Sequence, residues 1–303
     1  MEVLYFFEKL RVPVLNELML LITRFGEETA FLVAALVVFW CIDKKKGYFI
    51  LSVGFVGTIT SQFLKLLCQV PRPWIKDNDF TILEQAREAA SGYSFPSGHS
   101  QSAVGTFGGI AAVTKEKWVR IAAIVVAVLV PISRMYVGVH TPQDVLVGSA
   151  ISVILIFALK PVVFSQNKKA MPSLLGVMTL LAVAYTCFVE FYHFPADIDT
   201  HNLASGIKNA YTLLGALTGF LIAYIVDEKW LHFSTKAIWW AQMLKVVGGL
   251  LLVLAVKSGL KTPLNILFGE NIGRSVRYML IVLVAGIVWP LTFKWFEKLG
   301  AKE

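Results

Sequence analysis

Apolar residues run in long blocks along this chain, separated by short, charged gaps. The blocks fall at about residues 25–42, 48–70, 98–113, 119–132, 145–164, 173–192, 209–226, 238–256 and 276–293. A hydrocarbon layer of about 30 Å calls for roughly 20 apolar residues per helical span, and several of these blocks meet that demand. The pattern predicts an all-α chain, a polytopic transmembrane bundle of about nine spans, the first of them short. Residues 1–24 differ, with charges at Glu2, Glu8, Lys9, Arg11, Glu17 and Arg24. That is too polar to span and suits one or two amphipathic helices in the membrane interface. The expected division is therefore an interfacial segment (1–24), a first membrane region (25–165), and further spans of unassigned role (166–303). The loop 71–96 contains Pro71, Pro73 and a predicted short helix around residues 83–90.

Composition agrees with the pattern. Of 303 residues, 56% are hydrophobic and 16% charged, against about 25% charged in soluble chains. The formal charge of +8 raises nucleic acid as a partner, but no basic tract interleaved with aromatics is present to read a strand. The bilayer is the partner that the placement of charge implies. Lys44–Lys46, then Lys115, Lys117 and Arg120, then Lys168 and Lys169, then Lys229 and Lys236, and finally Lys294, Lys298 and Lys302 occupy alternate gaps. With nine spans, the positive-inside rule puts these gaps and the C-terminus in the cytoplasm and the N-terminus outside. Cys41, Cys68 and Cys187 lie in or beside apolar blocks with no C-x-x-C pair, which reads as packing rather than disulfide chemistry. No cleavable signal peptide is expected, since the N-terminus lacks an uninterrupted apolar core.

The same topology places three polar clusters on the external face. In "KLLCQVPRP", Lys65 and Arg72 stand seven residues apart, two helical turns, although the two prolines predict that the helix ends before Arg72. Alone, such a pair at a span end reads as snorkelling. In "FPSGHSQSA", Pro96-Ser97-Gly98 reads as a helix start whose free amides suit a phosphate. Gly98 allows close approach, Ser97 caps or donates, and His99 stands at the mouth, able to exchange a proton near neutral pH. In "SRMYVGVHTPQD", Arg134 precedes His140 by six residues and Asp144 follows it by four. Thr141 to Asp144 also forms a capping box with Pro142 at the first helical position. Asp144 therefore caps the helix, orients the His140 ring, or does both with its two oxygens.

Two histidines, three cations, a carboxylate and an open helix start on one face suit attack on a phosphate. The cations spread charge over the phosphate oxygens, one histidine attacks, and another protonates the leaving group. No metal-ligating spacing is present, and neither a metal nor another cofactor is expected.

K-x-x-x-x-x-x-R-P, P-S-G-H and S-R-x-x-x-x-x-H-x-x-x-D, in that order, resemble the three-part signature of the type 2 phosphatidic acid phosphatase superfamily. It includes lipid phosphate, undecaprenyl pyrophosphate and sphingosine phosphate phosphatases, glucose-6-phosphatases and vanadium haloperoxidases. The resemblance spans roughly residues 15–160 and implies a phosphohistidine mechanism. Carried over, His140 is the nucleophile, Asp144 its orienting carboxylate and His99 the acid for the leaving group. Lys65, Arg72, Ser97, Gly98 and Arg134 cradle the phosphate. The expected activity is metal-independent hydrolysis of a lipid phosphate or prenyl pyrophosphate at the outer face of a bacterial plasma membrane. Membrane lipid phosphatases of this kind usually have six spans, three of them before the first motif. Two spans before it and about nine overall are similar instead to glucose-6-phosphatase and the sphingosine phosphate phosphatases, so a soluble sugar phosphate is the alternative substrate. A lipid or anion transporter or scaffold is the alternative from outside enzymology. Internal repeats and broken midplane helices, which transporters often show, are not evident.

Overall fold

The computed structural model describes residues 1–87 and 90–299, and the regular secondary structure in them is helical. In chain order the helices are α1 Glu2–Lys9, α2 Pro13–Thr23, α3 Glu28–Val37, α4 Lys44–Cys68, α5 Pro73–Lys76, α6 Gly98–Ala103, α7 Gly109–Val113 and α8 Lys117–Tyr136. They continue as α9 Pro142–Val163, α10 Ala170–Phe191, α11 Thr200–Val226, α12 Trp239–Gly259, α13 Lys261–Leu283 and α14 Phe293–Lys298. A π turn over Val104–Gly108 joins α6 to α7, making one helix from Gly98 to Val113. Around residues 83–90 a single 3-10 turn forms at Glu84–Ala86. Residues 88 and 89 of that expected helix, and Lys302, lie outside the described residues.

Among the described residues, seven helices are long and apolar enough to cross a membrane. An eighth is obtained if α2 and α3, bent by 58° across Glu27, count as one broken span. Helices of this length and hydropathy make the chain an integral membrane protein. The difference from the nine expected lies at Gly98–Val113. Its sixteen residues reach only about 24 Å at 1.5 Å per residue. The residues at its start are polar and buried instead of apolar.

Two compact units are formed. The first is Met1–Leu32, Ile50–Lys160 and Phe194–Gly206; the second is Val33–Phe49, Pro161–His193 and Ile207–Glu303. In the first unit α8 shows the logic of a helix with lipid for solvent. It turns Ile124, Val125 and Val128 outward and buries Ala123, Ala127, Ser133 and Arg134. Small residues let neighbouring backbones approach, as membrane packing requires. A Cβ on Gly148 of α9 would stand 2.5 Å from the Ser97 carbonyl oxygen, so glycine there lets α9 touch the start of α6. Ser152, one turn further on, donates to the Gln101 carbonyl at 2.6 Å.

In the second unit Gly215 and Gly219 of α11 face Ser275 and Met279 of α13, where a Cβ would come within 1.9 and 2.8 Å of their carbonyl oxygens. The small-xxx-small pair is thus a helix contact. Whereas Trp239 is 75% exposed, Trp289 is turned inward. It donates to the Lys245 carbonyl at 3.0 Å and packs on Phe293 and Phe296. Lys44 pairs with buried Asp227 at 2.7 Å.

Candidate active site

α4 ends at Cys68, and Gln69 turns the chain with a left-handed φ of 47°. The helix therefore stops before Arg72, as the prolines predict, and Arg72 becomes the residue that opens α5. Lys65 and Arg72 are 6% and 4% exposed, which rules out snorkelling. Both turn inward onto the segment Ser91–Ser94. Lys65 Nζ donates to the Tyr93 carbonyl. Arg72 Nε donates to the Gly92 carbonyl at 3.0 Å and Nη2 to the Ser91 carbonyl at 2.9 Å. Its Nη1 donates to the Val139 carbonyl at 3.0 Å and lies 2.9 Å from His140 Nε2.

Ser97 caps the helix that opens at Gly98, its Oγ accepting from the Ser100 amide at 3.3 Å and the Ser100 hydroxyl at 2.9 Å. The first amides of a helix have no acceptor within it, so those of Gly98 and His99 are available to a ligand. A Cβ on Gly98 would meet nothing within 4 Å, so this backbone faces open space. His99 Nε2 is buried without a hydrogen-bond partner. Its electrostatic neighbours are Arg134, His140, Arg72 and Lys65.

The capping box at α9 is present. The Thr141 amide donates to Asp144 Oδ2 at 2.8 Å, and the Asp144 amide to Thr141 Oγ1 at 3.4 Å. The same Oδ2 stands 3.5 Å from His140 Nδ1, so the capping oxygen is also the one that faces the ring. The Ser97 amide donates to the Asp144 carbonyl at 2.9 Å, which joins the second and third motifs through backbone. Arg134 is fully buried. Its Nη1 donates to Thr23 Oγ1 at 2.7 Å, while Nε and Nη2 have no partner. All eight residues singled out in the sequence thus lie within one unit, around His140.

Three residues in this cluster carried no sequence signal strong enough to be noticed. Ser94 donates to Asp144 Oδ2 at 2.6 Å and sits 3.5 Å from His140 Nδ1. Its one clue was position, three residues before Ser97. Thr23 and Gly26, at and just past the end of the N-terminal segment, lie about seventy residues earlier in the chain than Ser94. A Cβ on Gly26 would be 2.9 Å from both the Cβ and the carbonyl oxygen of His99.

The hydrogen bonds define the state of His140. Arg72 offers only N–H groups, so Nε2 accepts and the ring proton sits on Nδ1, facing Asp144 and Ser94. Burial, followed by the positive charges of Arg72, Arg134 and Lys65, pushes the imidazole well below its ordinary range. His140 is thus held neutral, with its Nε2 lone pair turned to Arg72 Nη1 at 2.9 Å. Lys65, Arg72 and Arg134 share the cluster with one buried carboxylate, Asp144. Buried charge that is not balanced costs several kcal/mol, and an anion offsets it. No group of three or more His, Cys, Asp or Glu among the described residues is placed to hold a metal ion.

Residues 45–168 match the model of the PAP2 superfamily, and residues 211–302 match that of the PAP2 superfamily phosphatase transmembrane extension. The chain is 32% identical over 139 residues to the undecaprenyl-diphosphatase of Sulfolobus acidocaldarius, covering 46% of this chain and 66% of that protein. It is 34% identical over 165 residues to phosphatidylglycerophosphatase B of Bacillus subtilis, covering 50% of this chain and 76% of that protein. It is 26% identical over 146 residues to undecaprenyl-diphosphatase BcrC of Bacillus subtilis, covering 48% and 72%. No solved structure matches it. Identity at this level over three quarters of a relative, on top of a complete motif set, is decisive: the chain belongs to the PAP2 superfamily of phosphatases, and carries that superfamily's transmembrane extension later in its sequence.

Proposed function

We propose that the chain is a metal-independent phosphatase that hydrolyses a lipid phosphate or prenyl diphosphate through a phosphohistidine on His140. The observation that carries this is the buried excess of cations around a histidine whose Nε2, as the acceptor of an Arg72 N–H at 2.9 Å, carries a lone pair and no proton. His140 Nε2 attacks phosphorus, the bond to the leaving oxygen breaks, and His99 gives that oxygen its proton. Arg72 must release Nε2 for the attack, and its freed N–H passes to a phosphate oxygen. Lys65, Arg134, Ser97 and the Gly98 and His99 amides take the remaining oxygens. Asp144 and Ser94 stabilise the imidazolium that forms. Water, with His99 as base, then attacks phosphorus, the P–N bond breaks, and phosphate leaves.

An amphiphilic substrate reaches such a site from the bilayer, which gives a reason to build it from membrane helices. The relatives undecaprenyl-diphosphatase and phosphatidylglycerophosphatase B are by name both enzymes of that class. For topology we favour nine crossings. The helix Gly98–Val113 packs along α8 from one end to the other, so a membrane that contains α8 contains it too. Nine crossings put the five basic gaps in the cytoplasm and the site on the outer face of a bacterial-type plasma membrane.

Phosphate release by the detergent-purified full chain in EDTA tests the reading. Suitable substrates are undecaprenyl diphosphate, phosphatidylglycerophosphate, phosphatidic acid, sphingosine phosphate and glucose 6-phosphate. Turnover of an amphiphile that His140→Ala abolishes is the expected result. Turnover of glucose 6-phosphate alone would move the substrate to the soluble class. Binding of anionic lipid without turnover of anything would leave a transporter or scaffold.

A further inference from the structure

The family match begins at residue 45, yet the segment before it reaches the cluster at several points. The buried Arg134 side chain makes a single hydrogen bond, from Nη1 to Thr23 Oγ1 at 2.7 Å. The nitrogens left without partners are Nε and Nη2. These two carry the parallel N–H pair of one guanidinium edge, the pair that grips a phosphate or carboxylate with two bonds. Thr23 therefore holds the opposite corner of a rigid plane and aims the free edge.

The surrounding contacts make Thr23 part of a brace. The Tyr136 hydroxyl donates to Asn16 Oδ1 at 2.7 Å, and Arg11 donates twice to the Tyr136 carbonyl, at 3.2 and 3.1 Å. Arg11 Nη1 also donates to the Thr81 carbonyl at 2.8 Å. The last turn of α8, which carries Arg134, is thus held by α2 and by the link between α1 and α2. Gly138, with φ 87°, lies against the same arginine: a Cβ there would be 2.8 Å from Arg11 Nη2. Amphipathic as it is, this segment spends its inner face on the turn between Arg134 and His140.

We propose that Thr23 is a positioning residue for the phosphate cradle, acting through Arg134, and that the N-terminal segment is part of the catalytic unit. The inference rests on the reading of Arg134 as a phosphate ligand. Thr23→Val keeps the shape and removes the acceptor. Loss of a hydrogen bond to a charged group changes affinity about 10- to 100-fold. The experiment compares wild type, Thr23→Val, Thr23→Ser, Asn16→Leu and Arg134→Ala as detergent-purified full chains. It measures orthovanadate affinity from thermal stabilisation, together with KM and kcat for phosphate release from undecaprenyl diphosphate and phosphatidylglycerophosphate. Thr23→Val is expected to weaken orthovanadate and raise KM by about that factor, and Thr23→Ser to stay near wild type. Asn16→Leu, which loosens the turn without touching Arg134, is expected to lower the melting temperature and to weaken orthovanadate less than Thr23→Val does. Should Thr23→Val not fold, Thr23→Ala carries the same expectation. Wild-type orthovanadate affinity and KM in the Thr23 variants, with both impaired in Arg134→Ala, would overturn this proposal and leave the active site standing. Wild-type values in Arg134→Ala itself would overturn the cradle on which it rests.

Discussion

Ser94→Ala isolates a member of the cluster, beside Asp144 and His140, that no motif predicted. The hydroxyl is fully buried, donates to Asp144 Oδ2 at 2.6 Å, and lies 3.5 Å from His140 Nδ1. Without it, Asp144 Oδ2 keeps the Thr141 amide at 2.8 Å and faces His140 Nδ1 across 3.5 Å, beyond a good hydrogen bond. A bond to a charged group contributes about 1.5–3 kcal/mol. Most of that is felt when the ring becomes an imidazolium and needs a steady carboxylate. If about 1.4–2.3 kcal/mol appears in the barrier, kcat falls roughly 10- to 50-fold. KM should hardly move, because Ser94 touches no phosphate oxygen in the proposed cradle. Steady-state kinetics of Ser94→Ala, Asp144→Asn and the double variant make the assay. Residues that act as one unit are non-additive, so the double variant should be no slower than Asp144→Asn alone. Wild-type kcat in Ser94→Ala, or fully additive losses, would refute the relay.

Arg72→Lys should cost more than 100-fold in kcat/KM, because an ammonium cannot span the carbonyls of Ser91, Gly92 and Val139 that the guanidinium bonds at once. Gly148→Ala should lower the melting point and activity together: its Cβ would stand 2.5 Å from the Ser97 carbonyl, and forced overpacking costs about 1–3 kcal/mol. The depressed His140 pKa, caused by burial and then by Arg72, Arg134 and Lys65, fixes a sign. The folded state binds fewer protons, so the neutral ring contributes stability that is complete above about pH 6.5 and lost as pH falls towards the folded pKa. The acid limb of kcat/KM should accordingly lie below pH 6.5. His140→Gln should show a weaker loss of melting temperature on acidification.

Much of this was legible beforehand because motif chemistry and helix chemistry coincide. Thr141, Pro142 and Asp144 declare a helix start by capping rules alone, and that start fixes where His140 sits. Pro71 and Pro73 forecast the end of α4 before Arg72. The short helix Gly98–Val113 was harder, since burying Ser100, Gln101 and Thr106 gives it fewer apolar residues than a span facing lipid. The N-terminal segment was least legible. Its amphipathic pattern shows that one face is covered but not by what, and Thr23 and Gly26 meet Arg134 and His99 only through tertiary packing. Ser94 lay in plain view, but a lone serine beside a proline-rich turn has many ordinary uses.

The most direct test of the mechanism is to look for the phosphoryl group on the enzyme. Wild-type chain mixed with a turning-over lipid phosphate or diphosphate is quenched in alkali, where phosphohistidine survives, and mapped by mass spectrometry. The mechanism predicts a phosphoryl adduct on His140 that forms and decays within turnover and is missing in Asp144→Asn at the same time point. Turnover at the wild-type rate with no adduct on His140, or an adduct on another residue that forms at a competent rate, would contradict it.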